Sequence, residues 1–333
     1  MTKTDLFNQL RDGLPVEGRT LFRPILMHFA ARFAGKTYGE FASDYKVLVA
    51  SNIKAMEHFD LDMVGLISDP YRETSAFGAK VSFPPENVPA CEEVLISNME
   101  DLKSLQTPDV YKCQRTLDRI KGAELYQKEL KGDVPVIGWI EGPLAEACDL
   151  AGISNMLMQL MSDSNFSNII LDKCTGTAKA FAKAQLDAGC QIIGIGDAIC
   201  SQIDSFTYET FILERHKEII DFIHDSGGLV KLHICGNITH LLNSIIDLNI
   251  DILDIDYQVD IYNVFEILDS STILCGNINP VLVEERSPEQ IYTGTKKLVE
   301  QLKGKKFILS AGCEITVNTS KENLMAMREA SIY

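Results

Sequence analysis

No stretch of the 333 residues approaches the roughly 18 consecutive apolar positions that a membrane-crossing helix needs. Basic residues are in short supply. Lys and Arg number 31 against 47 Asp and Glu, for a net charge of −16 and a pI near 4.8. A surface so poor in cations is a bad match for nucleic acid or an anionic membrane. Aromatics are also few, with 15 Phe, 10 Tyr and one Trp, which argues against a base-stacking platform. The phosphate-cradling patterns GxGxxG and GxxxxGKS/T are missing, and with them the usual mark of a doubly wound nucleotide-binding sheet. The opening Met1-Thr-Lys-Thr-Asp5 is not followed by the apolar core of a secretory signal, so we expect a cytoplasmic protein. There the nine cysteines stay reduced, each a buried small hydrophobe, a reactive thiol or a metal ligand. Spread over a chain of this size, they do not read as a disulfide framework. With no linker, low-complexity tract or internal repeat, residues 1–333 read as one domain.

What the sequence does contain is a rhythm. Short β-rich apolar runs occur at Arg23–His28, Asp62–Ile67, Val134–Glu141, Cys190–Asp197, Leu229–Gly236, Ile252–Gln258, Thr272–Asn279 and Phe307–Ile315. Near-continuous apolar strands are covered on both faces, as in a parallel sheet flanked by helices. Between them, Ser167–Ala188 and Tyr208–Asp225 have helical periodicity. The second stretch places Ile212, Ile219, Ile220 and Ile223 on one face and stops at Gly227-Gly228. Ser287-Pro288-Glu289-Gln290 is a capping box with proline at the first helical position, and Thr319-Ser320-Lys321-Glu322 caps the last helix. Eight β-α units predict an α/β fold, a single-domain (β/α)8 TIM barrel. The long Ile67–Val134 connection between the second and third strands holds turn-rich Ser82–Pro89 and two helical stretches. It reads as an insertion over one barrel mouth.

Barrel chemistry sits at the C-terminal ends of the strands. Here those ends carry Ser68-Asp69, Glu141-Gly142-Pro143, Gly196-Asp197, His233 with Cys235, Asp254 with Asp256, Cys275 with Asn277, and Cys313-Glu314. Any one carboxylate has a plain structural use as a helix N-cap, Asp69 and Asp197 above all. Together they make a concave polar ring. Within Lys231-Leu-His233-Ile-Cys235-Gly236-Asn237, residues two apart on a strand share a face, so His233 and Cys235 converge. One imidazole and one thiolate suit zinc. Taken alone, His-x-Cys is more often a packed core pair. Cys313, at the matching height of the eighth strand, completes a His/Cys/Cys set with an open fourth position, which is a catalytic rather than a structural zinc pattern. Cys275 is the alternative third ligand. Cys148, Cys174 and Cys190 read as buried apolar residues, and His58, His216 and His224 as helix residues.

These residues resemble the zinc motif of the methylcobamide:coenzyme M methyltransferases, within the uroporphyrinogen decarboxylase superfamily. His233-Ile-Cys235-Gly-Asn237 and Ala311-Gly-Cys313-Glu-Ile carry the likeness, joined by Ile140-Glu141-Gly142-Pro143, Ile195-Gly196-Asp197 and Leu274-Cys275-Gly276-Asn277. It covers residues 130–330, while residues 20–70 are more similar to bacterial members of the superfamily. The resemblance implies a (β/α)8 barrel, a catalytic Zn2+ on His233, Cys235 and Cys313, and a corrinoid supplied by a partner protein. It also implies a carboxylate near the metal on the sixth strand. Asp256 is the match, and it is shorter than the glutamate expected there, so direct ligation and a water-bridged role both stay open. Asp69, Asp197 and Glu141 would orient the substrate or tune the metal's surroundings.

The activity implied is zinc-dependent movement of a methyl group between a corrinoid protein and a small substrate. That substrate would be a thiol such as coenzyme M, or a methyl ether undergoing O-demethylation. None of the six histidines lies in an Asp-x-His-x-x-Gly corrinoid-binding pattern, so the corrinoid is expected on a separate protein that docks over a wide mouth. The decarboxylases of the superfamily are the rival reading. They lack the His-x-Cys and Cys set and hold an eight-carboxylate tetrapyrrole with N-terminal arginines. Arg19, Arg23 and Arg32 stand in that region, but without an Arg-Gln-Ala-Gly-Arg-type stretch. A non-catalytic subunit that binds the corrinoid protein is the third reading.

Overall fold

A computed structural model describes residues 1–333. The apolar runs become eight parallel strands of one sheet. In spatial order they are β1 (Leu21–Phe22), β10 (Phe307–Ala311), β9 (Ile273–Ile278), β8 (Ile252–Ile255), β7 (Leu229–Ile234), β6 (Ile192–Gly196), β5 (Val136–Glu141) and β2 (Val64–Gly65). Helices connect them on the outside, giving the expected (β/α)8 barrel. The two edge strands, β1 and β2, meet where the sheet curls round. There the Asp62 N–H donates to the Phe22 carbonyl at 2.9 Å, and the Asp62 carboxylate accepts the Phe22 N–H at 2.7 Å. One residue, through its backbone N–H and its carboxylate, joins that seam in place of a strand ladder.

Strand alternation explains the two hydrophobic cores. Val136 and Ile140 on β5, Val230 and Leu232 on β7, and Leu253 and Ile255 on β8 point outward and pack under the helices. Ile137 and Trp139 on β5, Ile192 on β6, Ile252 on β8, Ile273 on β9 and Ile308 on β10 fill the barrel interior. Gly194 faces Trp139 across the β5–β6 pair. A Cβ there would lie 2.2 Å from the indole, so the glycine makes room for the ring.

The elements differ from expectation at the edges. The first strand is Leu21–Phe22 rather than Arg23–His28. Pro24 has no N–H to give a ladder, Ile25 keeps only an isolated bridge to Glu314, and His28 starts a helix, His28–Phe33. The Asp62–Ile67 run shrinks to Val64–Gly65. Tyr208–Asp225 is not one helix but two, Ser205–Phe211 and Leu213–Asp225, with Asp204 capping the first. Ser320, not Thr319, caps the last helix by accepting the Asn323 N–H. The Ser287 capping box forms as read. The insertion holds three helices, Arg72–Ala76, Met99–Ser104 and Gln114–Leu130. It also holds an unforeseen antiparallel hairpin of β3 (Val81–Ser82) and β4 (Ala90–Cys91). No helix is long and apolar enough to cross a membrane.

Candidate metal centre

The inward face of β7 carries Lys231 and then His233, and Cys235 follows on the same side just past the strand. Cys313 comes from the loop after β10. Gly312 lets that loop approach: a Cβ there would lie 2.2 Å from the Tyr257 backbone nitrogen, in the loop after β8. The result is a compact triad. His233 Nε2 lies 3.0 Å from Cys235 Sγ, and the two sulfurs are 3.7 Å apart. All three donor atoms lie within 4.8 Å of one another.

This donor set fits zinc. Two Zn–S bonds of about 2.3 Å at a tetrahedral angle separate the sulfurs by about 3.8 Å. The same geometry sets N to S at about 3.6 Å, so the imidazole would withdraw slightly to admit an ion. The ring is already oriented, because His233 Nδ1 donates to the Asp254 carbonyl at 3.1 Å, leaving Nε2 for a metal. Below it, Lys231 Nζ and the Asp254 carboxylate form a buried ion pair at 2.7 Å. The hydrogen bond from Cys235, then the neighbouring His233, pull the Cys313 thiol down to about 5 against the opposing effect of burial. Cys235 is raised by that same hydrogen bond and by burial. Of the two thiols, Cys313 is therefore the one biased toward the thiolate.

The triad opens into a cavity of about 160 Å³ lined also by Trp139, Asp69, Glu141 and Glu314. The Trp139 ring centroid is 6.5 Å from that of His233. Asp69 is ion-paired to Arg115, accepts the Ser68 hydroxyl at 2.6 Å and caps the Tyr71 N–H. Burial alone would raise its carboxyl, but Arg115 and Arg72 outweigh that and hold it below the usual range. Glu141 accepts from Arg72 at 2.7 Å. Burial, with Glu73 and Asp149 nearby, still pushes Glu141 well above the ordinary value.

Two expected site residues lie outside the cavity lining. Asp197 is fully buried. Its carboxylate accepts the Ala145 N–H at 2.7 Å and the Leu144 N–H at 3.3 Å at the start of the helix Pro143–Ala151, and also meets His216 Nε2 at 2.9 Å. With Cys200 these residues form a second buried cluster, but one whose carboxylate is already saturated. Asp256 accepts the Gly236 N–H at 2.9 Å and the Gln258 N–H at 3.2 Å, so it holds the turn that presents Cys235. Cys275 sits in the barrel core with its sulfur 3.9 Å from Lys231 Nζ, away from the triad.

Sequence reasoning passed over Trp139, Arg72 and Arg115. Trp139 was legible, since it precedes Glu141 by two on the same strand. Both arginines lie on insertion helices, where no local pattern marks a side chain that reaches under the pocket.

Comparison with known proteins agrees with this architecture. Residues 4–331 match the family described as Uroporphyrinogen decarboxylase (URO-D). A methylcobamide:CoM methyltransferase from Methanosarcina mazei is 30% identical over 242 residues, covering 71% of this chain and 69% of that protein. A uroporphyrinogen decarboxylase from Pseudoalteromonas atlantica is 24% identical over 289 residues, 84% of this chain and 80% of that one. Among solved structures, a methyltransferase from Methanosarcina mazei superposes with a TM-score of 0.89 at 20% identity, covering 99% of this chain and 98% of that chain.

Proposed function

We propose, from the premise that this chain belongs to the uroporphyrinogen decarboxylase (URO-D) family, that it is a methyltransferase working between a corrinoid protein and a small substrate. The reading rests on one observation: His233, Cys235 and Cys313 converge, with a fourth side open, on a small cavity at the C-terminal mouth of the barrel. Zinc held there would supply one service, lowering the pKa of a substrate thiol or polarising a methoxy oxygen. The methyl group would come from, or go to, a corrinoid on the partner protein.

The chain's own residues do the rest. The Asp254 carbonyl fixes the His233 tautomer, and Asp256 fixes the Cys235 turn. Trp139, Ile25 and Ile67 wall the cavity and exclude water from the reacting atoms. Asp69 and Glu141, braced by Arg115 and Arg72, position the substrate. Asp197 acts at a distance, fixing the helix that follows Glu141.

The decarboxylase reading gains no support from the cavity. A space of about 160 Å³ lined by carboxyls and by no lysine or arginine is wrong in size and charge for an eight-carboxylate tetrapyrrole. The deciding experiment is methyl transfer with the zinc-loaded protein. Methylcobalamin is offered a panel of thiols, and cob(I)alamin a panel of methyl ethers and methylamines. Turnover in either direction that is lost in Cys313→Ser supports the reading. No turnover with any pair, alongside decarboxylation of a tetrapyrrole, overturns it.

A further inference from the structure

The charge of the pocket constrains what the methyl donor or acceptor can be. Asp69, Glu141 and Glu314 line it, and no lysine or arginine does. Arg115 and Arg72 stand behind the carboxylates, each committed to one of them, and Arg72 is completely buried. Around that single Arg72 crowd Glu73 and the mostly buried Asp149 as well as Glu141, with Glu146 close to these carboxyls. Carboxyls therefore outnumber cations throughout this side of the barrel. A zinc ion on two thiolates adds no net charge.

An anion entering this cavity meets no cation free to pair with it, and every ionised carboxyl opposes it. A cation is treated differently. The crowded carboxyls hold their protons above the ordinary range, Asp149 up to about 8 through burial and Glu73, and Glu141 well above its usual value. They can ionise to meet a positive guest. Trp139 offers an aromatic face as well.

We propose that the site takes a small substrate bearing a positive charge or none, and rejects anionic thiols such as coenzyme M. The class is an amino- or hydroxyl-bearing thiol, or a methylated amine or ether. This deepens the methyl-transfer reading and rests on it for the word substrate, but the charge preference is measured without any methyl transfer.

Trp139 is the only tryptophan in the chain and lines the cavity, so its fluorescence reports occupancy. The zinc-loaded protein is titrated with 2-aminoethanethiol, 2-mercaptoethanol and 2-mercaptoethanesulfonate, which are alike in size and differ in charge. The first two should bind at least about tenfold more tightly than the third, a difference of about 1.4 kcal/mol. The gap should narrow in Glu141→Gln and in Asp69→Asn. Equal or tighter binding of the sulfonate overturns the proposal. A second pair of probes, tetramethylammonium and methanesulfonate, needs no thiol. If no thiol binds but tetramethylammonium is preferred, the charge inference stands and the thiol-acceptor form of the function falls. If methanesulfonate is preferred, or neither probe binds, the charge inference falls while methyl transfer stays open to its own assay.

Discussion

Removal of the Asp254 carboxylate separates the support of the proposed metal centre from its proposed ligands. Asp254 and Lys231 are each 1% exposed and pair at 2.7 Å inside the barrel. Burial alone would raise the Asp254 carboxyl, but Lys231, His233 and Arg23 outweigh it and hold the group below its ordinary value. Asp254→Asn therefore strands two buried cations, Lys231 and Arg23. Breaking a buried pair from one side costs about 3–5 kcal/mol. Unfolding entropy of about 2.1 cal/mol/K per residue gives about 0.7 kcal/mol/K for 333 residues, so Tm should fall by about 4–7 °C. Zinc should stay bound, because the His233 hydrogen bond goes to the backbone carbonyl of residue 254 and survives the substitution. The double variant Lys231→Met, Asp254→Leu removes both charges of the pair and should recover the Lys231 share of the loss, the remainder belonging to Arg23. Calorimetry with metal analysis reads both outcomes. Wild-type stability in Asp254→Asn, or loss of zinc at unchanged Tm, would refute this account of the pair.

Three further outcomes follow from the same geometry. Cys235→Ala and Cys313→Ser should each bind less than one zinc per chain while keeping the far-ultraviolet dichroism of the wild type, since the barrel core does not depend on the site; full zinc occupancy in either would remove that residue as a ligand. Asp256→Asn should retain zinc with affinity weakened about 10- to 100-fold, the scale for groups that orient ligands, in a competition titration; complete loss would make Asp256 itself a ligand, and no change would mean its bond to Gly236 is idle. Asp149 holds its proton in the fold up to about 8, through burial and Glu73, while the unfolded chain ionises near the ordinary 3.8. The folded state thus binds more protons between those values, and stability should decline as pH rises from 5 to 8. Asp149→Asn should flatten that decline in urea titrations, and an unchanged slope would show that this carboxyl does not titrate as inferred.

How much of this was legible in the sequence depended on whether the determinant was local. Strands β5 to β10 declare themselves because each is mainly apolar, its run broken only at a few inward positions such as Lys231, His233 and Asp254. The edge strands β1 and β2 are two residues each, and their runs continue into turns that only Pro24 hints at. The convergence of His233 and Cys235 follows from strand alternation, whereas their approach to Cys313 depends on a contact between the loops after β8 and β10 that only the folded barrel creates. Asp197 and Asp256 show the limit most clearly. Both sit at strand ends, where a sequence reading places chemistry. Yet, apart from the Gln258 N–H two residues on from Asp256, the bonds that occupy them come from residues 19 to 53 positions away, whose proximity no local pattern encodes.

The seam between β1 and β2 makes this barrel a split collar rather than a welded hoop. Seven joints are laced by strand ladders. The eighth is fastened by Asp62, which Lys3 and Arg19 grip from outside. Ile25 and Ile67, a few residues beyond the split on either side, are both cavity walls. That joint is the one place where the sheet can part without breaking a strand ladder. That fastening precedes β2, whereas Cys235 and Cys313 follow β7 and β10, so it and the candidate metal ligands stand at opposite ends of the strands.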